Sequence, residues 1–150
     1  MKLANIISLR VFINPEENRE KIREAFLNLL GWTEQELLDE KIFFKETKAK
    51  GFSEKIIIII EASLEKDRHC NEFLKKLSQN LSKEDKQLLI EQTNRLDQEL
   101  NFFLRLDKNS LLENKYVLTD SGECFHIKIS VAAFPKRPDA AHKVVKMIFS

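Results

Sequence analysis

The stretch ECFHIKISVAAF, residues 123–134, alternates apolar and polar side chains from Phe125 to Val131. Such alternation places every second side chain on the same face of a β-strand. The apolar face predicted in this way consists of Phe125, Ile127, Ile129, Val131 and Ala133. The opposite face then carries Cys124, His126 and Lys128. A strand with one apolar and one polar face is typical of an antiparallel sheet that helices cover on one side.

The rest of the chain supplies further strands and amphipathic helices that do not strictly alternate. Strands are predicted at 6–13, 41–47, 55–64 and 101–106, and a hairpin across 120–122 pairs residues 116–119 with 123–134. Helices are predicted from Asn14 to Gly31, as a short helix after Thr33, at 66–81, from Ser82 to about Leu100, as a brief turn at 108–113, and from Pro138 onward. The 55–64 strand is apolar on both faces and should lie inside the sheet. The pattern predicts a single α+β domain over residues 1–150, with a mostly antiparallel sheet and helices mainly on one face.

Composition indicates a folded domain without a membrane span. Of 150 residues, 43% are hydrophobic and 33% are charged, and no apolar run approaches the roughly 20 residues that a membrane helix needs. Cys70 and Cys124 are too few for a disulfide framework, so we expect a cytoplasmic protein. The net charge is only +1, but residues 126–150 hold five basic residues and one acidic residue. This uneven distribution creates a local positive field that attracts polyanions.

The polar face of the predicted sheet combines cations with aromatic rings. If helices cover only the other side, this face collects Arg10, Phe12, Phe103, Arg105, His126 and Lys128. Cations bind phosphates and rings stack on unpaired bases, as in single-strand RNA platforms. Two alternatives remain open: a solvated face without a ligand, and a face whose phenylalanines meet a protein partner or a second copy of the chain.

A second basic segment, FPKRP at 134–138, precedes the last helix. Its prolines favour an extended loop that delivers Lys136 and Arg137 to the N-terminus of that helix, where free N–H groups also attract anions. Lys143 and Lys146 extend the basic character along the helix, and the turn expected at 48–51 offers Lys48 and Lys50 as a further contact. Solubility alone is the alternative explanation for these charges.

Signatures of catalysis and of metal binding are missing from the sequence. With three glycines in the chain, no glycine-rich phosphate loop occurs, and neither does a nucleophile-elbow or zinc-protease motif. The pairs His69/Cys70 and Cys124/His126 lack the spacing of common zinc sites. We therefore predict no catalytic residue, no metal and no cofactor.

Several short segments carry a resemblance to a known family. RLDK at 105–108, CFHIKI at 124–129 and FPKR at 134–137 together resemble an archaeal RNA-binding family that is linked to the exosome. The resemblance runs through the whole chain, including VFIN at 11–14 and IIIEA at 58–62. It implies RNA binding, a fold similar to ribosomal protein L5, and an accessory role in archaeal RNA processing.

The sequence thus predicts a non-catalytic RNA-binding protein. Its predicted RNA contacts are Arg10, Phe12, Phe103, Arg105, His126, Lys128, Lys136, Arg137, Lys143 and Lys146. The alternative is an interaction or scaffold subunit that uses the polar sheet face to bind a protein partner or to form a homodimer.

Overall fold

A computed structural model describes residues 1–51 and 54–150 and contains one antiparallel sheet. Its strands are β1 (Ala4–Ile13), β2 (Phe43–Lys50), β3 (Ile56–Leu64), β4 (Asn101–Asp107) and β5 (Cys124–Val131), in the order β2-β3-β1-β5-β4. Its helices are α1 (Arg19–Leu30), α2 (Glu34–Asp39), α3 (Asp67–Asn80), α4 (Lys83–Glu91), α5 (Lys108–Leu112) and α6 (Pro138–Phe149). The predicted α+β class and its antiparallel sheet are confirmed.

The core lies between the helices and one face of the sheet, here called the inner face. β1 and β5 contribute alternate residues that are almost fully buried, including Leu9, Val11, Phe125 and Ile127. α1 and α3 pack against β1, and α6 packs against β5. The opposite, outer face carries the partly exposed residues of the same strands. The alternation at 123–134 therefore predicted both faces of β5 correctly.

The start of the first helix differs from the prediction. α1 begins at Arg19 rather than after Asn14, and Asn18 is its N-cap, accepting a hydrogen bond from the Lys21 N–H at 3.2 Å. Asn14 instead opens a separate turn, in which its N–H donates to the Glu17 carboxylate at 2.9 Å. Asn14 and Asn18 both suit an N-cap position, and the helix uses Asn18. The Glu17 carboxylate also binds the ammonium of Lys108, which is distant in the sequence.

The predicted hairpin between residues 116–119 and β5 is wrong. β5 already pairs with β1 on one side and β4 on the other, so neither of its edges is free. Residues 116–119 instead follow the outer edge of β4, where the Asp107 N–H donates to the Val117 carbonyl at 2.8 Å and the Thr119 N–H to the Arg105 carbonyl at 3.0 Å. This segment therefore covers part of an edge that would otherwise expose unpaired backbone groups.

The ends of α4 and β2 also differ from the predicted ones. α4 ends at Glu91, and a short 3-10 turn follows at Thr93–Arg95. The Asp97 carboxylate then accepts a hydrogen bond from the N–H of Asn101 at 2.8 Å, in the turn that leads into β4. β2 continues to Lys50, so Lys48 and Lys50 lie in a strand paired with β3 and not in a turn. In the described part of the chain, no helix is long and apolar enough to cross a membrane.

Candidate nucleic-acid interface

The outer face brings five of the predicted contacts together in two neighbouring cross-strand rows. In one row, Arg10 of β1 pairs in register with His126 of β5, and His126 pairs with Arg105 of β4. In the next row, Lys128 of β5 lies beside Phe103 of β4. Because paired positions on one face lie about 5 Å apart, these side chains form one continuous surface centred on β5.

The cations of this surface are largely free to meet a ligand. The Arg10 side chain is 54% exposed, and its guanidinium lies 3.7 Å from the Glu61 carboxylate. Arg105 donates to the backbone carbonyl of Asp120 at 3.3 Å, while the Asp120 carboxylate is bound by Arg95 at 2.9 Å. Lys128 is exposed, and no carboxylate lies within 4.0 Å of its ammonium among the described residues. The surface therefore holds more positive charge than its acids neutralise.

Two phenylalanine rings border these cations. Phe12 is 37% exposed and Phe103 is 42% exposed, although large apolar side chains are usually buried. The Phe12 ring stands edge-on to His126, with ring centroids 5.8 Å apart. Both rings line a shallow depression of about 480 Å³ together with Arg10, Arg105 and Lys128. Cations and apolar rings thus share one concave surface.

His126 differs in its protonation from the arginines on either side of it. Partial burial lowers the pKa of its imidazole, and the positive charges of Arg105, Arg10 and Lys108 lower that pKa further. Its Nε2 lies 3.6 Å from the Cys124 sulfur. The ring is therefore mainly neutral near pH 7, and a bound phosphate would favour its protonated form.

The buried ammonium of Lys108 fixes the backbone at one end of the outer face. Lys108 is 1% exposed, and its Nζ donates to the Phe12 carbonyl at 2.7 Å. It also donates to carboxylate oxygens of Glu17 and Glu123, each at 3.0 Å. A buried cation is stable only when it is paired and hydrogen-bonded in this way. The cluster holds the Asn14–Glu17 turn and the start of β5 against the end of β1.

The basic loop lies at the other end of β5. Lys136 lines a depression of about 390 Å³ with Ser130, an outer-face residue of β5. Arg137 is exposed and forms an ion pair with Asp139, with 3.4 Å between Nε and the carboxylate oxygen. Lys136 thus borders the outer face, while Asp139 in the first turn of α6 neutralises part of the positive charge of Arg137.

Lys143 and Lys146 occupy a different side of the molecule. The buried side of α6 is formed by Ala141, Val144, Val145, Ile148 and Phe149, which pack toward the sheet. At about 100° per residue, Lys143 and Lys146 fall on the opposite side of that helix. They therefore point away from the outer face, and the ten predicted contacts do not form a single patch.

Among the described residues, two exposed aromatic side chains were not predicted contacts. Phe134 in the basic loop is 98% exposed, and Phe43 at the β2 edge is 52% exposed. The sequence contained a signal for Phe43, because in a strand it lies on the face opposite to the half-buried Phe44. Nothing in the local pattern distinguished Phe134 from the last apolar residue of a strand.

The donor groups of the described residues do not form a metal site. No group of three or more His, Cys, Asp and Glu side chains lies close enough to hold an ion in the described ranges. Cys70 and Cys124 are both buried free thiols. What the outer face does offer is a set of cations and flat rings, a combination suited to phosphates and bases.

Known proteins resemble this chain in sequence and in fold. RNA-binding protein PAB1135 from Pyrococcus abyssi is 28% identical over 144 residues, which are 95% of this chain and 92% of that protein. The structure of Mth689, a DUF54 protein from Methanothermobacter thermautotrophicus, matches with a TM-score of 0.79 and 25% identity, covering 99% of this chain and 100% of the other. SSO0741 from Sulfolobus solfataricus, a further DUF54 structure, matches with a TM-score of 0.72 and 23% identity over 96% of this chain and 97% of its own.

The family model described as RNA binding matches residues 6–131, from within β1 to the end of β5. The match spans most of the chain, as the resemblance seen in its sequence segments predicted. This protein therefore belongs to the RNA-binding family.

Proposed function

We propose that this protein binds RNA through the outer face of its sheet and catalyses no reaction on it. The observation that carries the proposal is the register of Arg10, His126 and Arg105, with Lys128 and Phe103 in the adjacent row. These neighbours supply the two interactions that unpaired RNA accepts, namely charge for its phosphates and rings for its bases. Membership of the RNA-binding family supports the same conclusion.

The basic loop extends this interface in the proposal. Lys136 and Arg137 follow β5 directly, so a strand of RNA that occupies the outer face reaches them next. Lys143 and Lys146 remain predicted contacts, but only a longer RNA that continues past Lys136 and around α6 would meet them.

The cellular role follows from the resemblance and not from the geometry. We propose an accessory role in RNA processing, with association to the archaeal exosome as its specific form. A likeness to ribosomal protein L5 is a further expectation of that resemblance. The free thiols of Cys70 and Cys124 suit a reducing compartment, so we propose the cytoplasm.

Salt dependence of binding tests the electrostatic part of the proposal. A labelled RNA is titrated with the protein at increasing salt, and fluorescence anisotropy gives the affinity. If about four phosphates are neutralised, log K falls against log salt with a slope near −3 for a single strand. Affinity that does not change between low and moderate salt would contradict the proposal.

Three double variants locate the surface. Arg10→Ala with Arg105→Ala should flatten the salt slope by about 1.4, because two contacts are lost. Lys75→Ala with Lys83→Ala removes the same charge from exposed positions of the helix layer and should leave the slope unchanged. Lys143→Ala with Lys146→Ala, measured with short and long RNA, decides whether α6 takes part.

An alternative proposal is a protein-interaction surface, and the exposed rings of Phe12 and Phe103 favour it. Such rings also occur at interfaces between protein chains. Light scattering distinguishes the two proposals: a stable dimer that protects these rings, together with no affinity for RNA, would favour the interaction surface.

A further inference from the structure

We infer that the outer face takes single-stranded RNA that lies along β5, with Phe134 as a base-stacking residue at its far end. This inference rests on the proposed function and specifies its substrate class and the course of the ligand. It assigns a contact role to Phe134, which neither the alternation of the sequence nor the family match singles out.

The outer-face residues of β5 and its neighbours define this course. Phe12 lies beside the Cys124 end of β5, as its contact with His126 indicates. Arg10 and Arg105 flank His126, and Phe103 flanks Lys128. From Cys124 to Ser130 this line is about 20 Å long, at about 3.4 Å per residue. Rings and cations on β1, β5 and β4 therefore follow one another along the direction of β5.

Phe134 continues the line beyond the strand. It lines the same depression as Ser130, the last outer-face residue of β5, and as Lys136. Lys2 and Lys136 in this depression outnumber its one carboxylate, Glu99. A ring that is 98% exposed contributes almost nothing to the core, so its apolar surface is available to a ligand. Its position joins the outer face to the Lys136–Arg137 loop.

The exposed rings favour a single strand over a duplex. In a duplex the bases are stacked on one another and present only their edges, so a phenylalanine ring finds no base face to cover. In an unpaired strand every base has a free face, and stacking on aromatic side chains tolerates any base. Three exposed rings distributed along one line of cations are therefore suited to unpaired nucleotides.

The half of the outer face nearest β2 provides a matched control. Phe43 is an exposed ring on the same face, but β2 lies three strand spacings from β5, about 14 Å. The acidic side chain of Glu61 on β3 lies between the two regions. Phe43 is thus a residue of the same type, with an exposure close to that of Phe103, outside the inferred course.

The experiment measures the affinity of four variants for a fluorescein-labelled oligouridylate of about twelve nucleotides, a length typical of single-strand sites. Phe134→Leu and Phe103→Leu remove a ring and keep an apolar side chain. Phe134→Tyr keeps the ring, and Phe43→Leu is the control. Unlabelled oligouridylate, free or annealed to oligoadenylate, competes with the probe. Circular dichroism confirms that each variant is folded.

The inference expects Phe134→Leu and Phe103→Leu to weaken binding about fivefold or more. Phe134→Tyr and Phe43→Leu should bind like the wild type, and the free strand should compete better than the duplex. Equal competition by the duplex, or an equal effect of Phe134→Leu and Phe43→Leu, would overturn the inference while RNA binding stands. Absence of wild-type affinity for either RNA would instead overturn the proposed function.

Discussion

Two lysines of this protein occupy opposite environments. The ammonium of Lys108 is buried and donates to one carbonyl and two carboxylates at 2.7–3.0 Å. Lys128, on the outer face of β5, is exposed, and none of the described carboxylates lies within ion-pair distance of it. The difference separates two uses of charge: the region around Lys108 satisfies its charges internally and joins distant segments, whereas the outer face keeps cations available for an anionic ligand.

The largest expected effect comes from breaking the buried cluster. Lys108→Met should lower the free energy of unfolding by about 3 kcal/mol, because it leaves the carboxylates of Glu17 and Glu123 and the Phe12 carbonyl without their donor. This is the low end of the range for buried pairs, since the Glu123 side chain is 59% exposed. Urea unfolding followed by circular dichroism measures the change. A loss below about 0.5 kcal/mol would mean that the cluster does not hold the fold together.

The same substitution on the outer face should produce the opposite pattern. Lys128→Met should leave the free energy of unfolding within about 0.5 kcal/mol of the wild-type value, because the side chain is exposed. It should weaken RNA binding and make the slope of log K against log salt shallower by about 0.7, the loss of one phosphate contact. Anisotropy titrations at several salt concentrations measure both quantities. Unchanged affinity and salt slope would mean that Lys128 does not contact the RNA.

The sequence predicted the two faces of the sheet well because they depend on local alternation. Every second residue from Phe125 to Val131 is buried, so the inner and outer sets followed directly from residues 123–134, although Cys124 at the end of the outer set is also buried. The register with β1 and β4 could not be obtained in this way. It places Arg10 and Arg105 on either side of His126 and arises from pairing between segments far apart in the chain.

The wrong expectations share a cause of the same kind. The hairpin at 116–119 was suggested by the turn beside it, whereas pairing of β5 with both β1 and β4 excludes it. The helix start after Asn14 had good local capping chemistry, but Glu17 takes part in a contact with Lys108, 91 residues away. Burial of a lysine depends on such contacts, and local propensity contains no information about them.

A smaller effect concerns the pH dependence of RNA binding. Burial lowers the pKa of His126, and Arg105, Arg10 and Lys108 lower it further, so the free protein holds this ring mainly neutral near pH 7. Bound phosphates would raise that pKa, so binding takes up a proton and affinity should increase a few-fold as the pH falls from roughly 7.5 to roughly 5.5. The free protein should lose stability over the acidic part of this range, because the pKa of His126 is lower in the folded state than in the unfolded state.

Titrations of the wild type and of His126→Gln across this range test the coupling. The variant should show a flatter affinity profile, while His142→Gln on α6 should keep the profile of the wild type. Identical profiles for the wild type and His126→Gln would show that this ring does not change its protonation when RNA binds.

The smallest expected effect concerns whether the Glu61 carboxylate weakens RNA binding by the outer face. Glu61 lies beside Arg10 on the neighbouring strand β3, with 3.7 Å between the carboxylate and the guanidinium. Glu61→Gln should strengthen RNA binding about two- to threefold, because one repulsive charge is removed and Arg10 is released toward phosphates. Stability should change little, since an exposed ion pair of this kind contributes about 1 kcal/mol or less.

The matched control is Glu72→Gln on α3, which removes the same charge from the helix layer and a similar loose contact with Arg68 at 4.0 Å. Anisotropy at low salt compares the two variants, because added salt screens the difference. Equal affinities would mean that RNA responds to net charge alone, without a preferred face. Tighter binding by Glu61→Gln alone would indicate that the arrangement of charges around β5, and not their sum, determines where RNA binds.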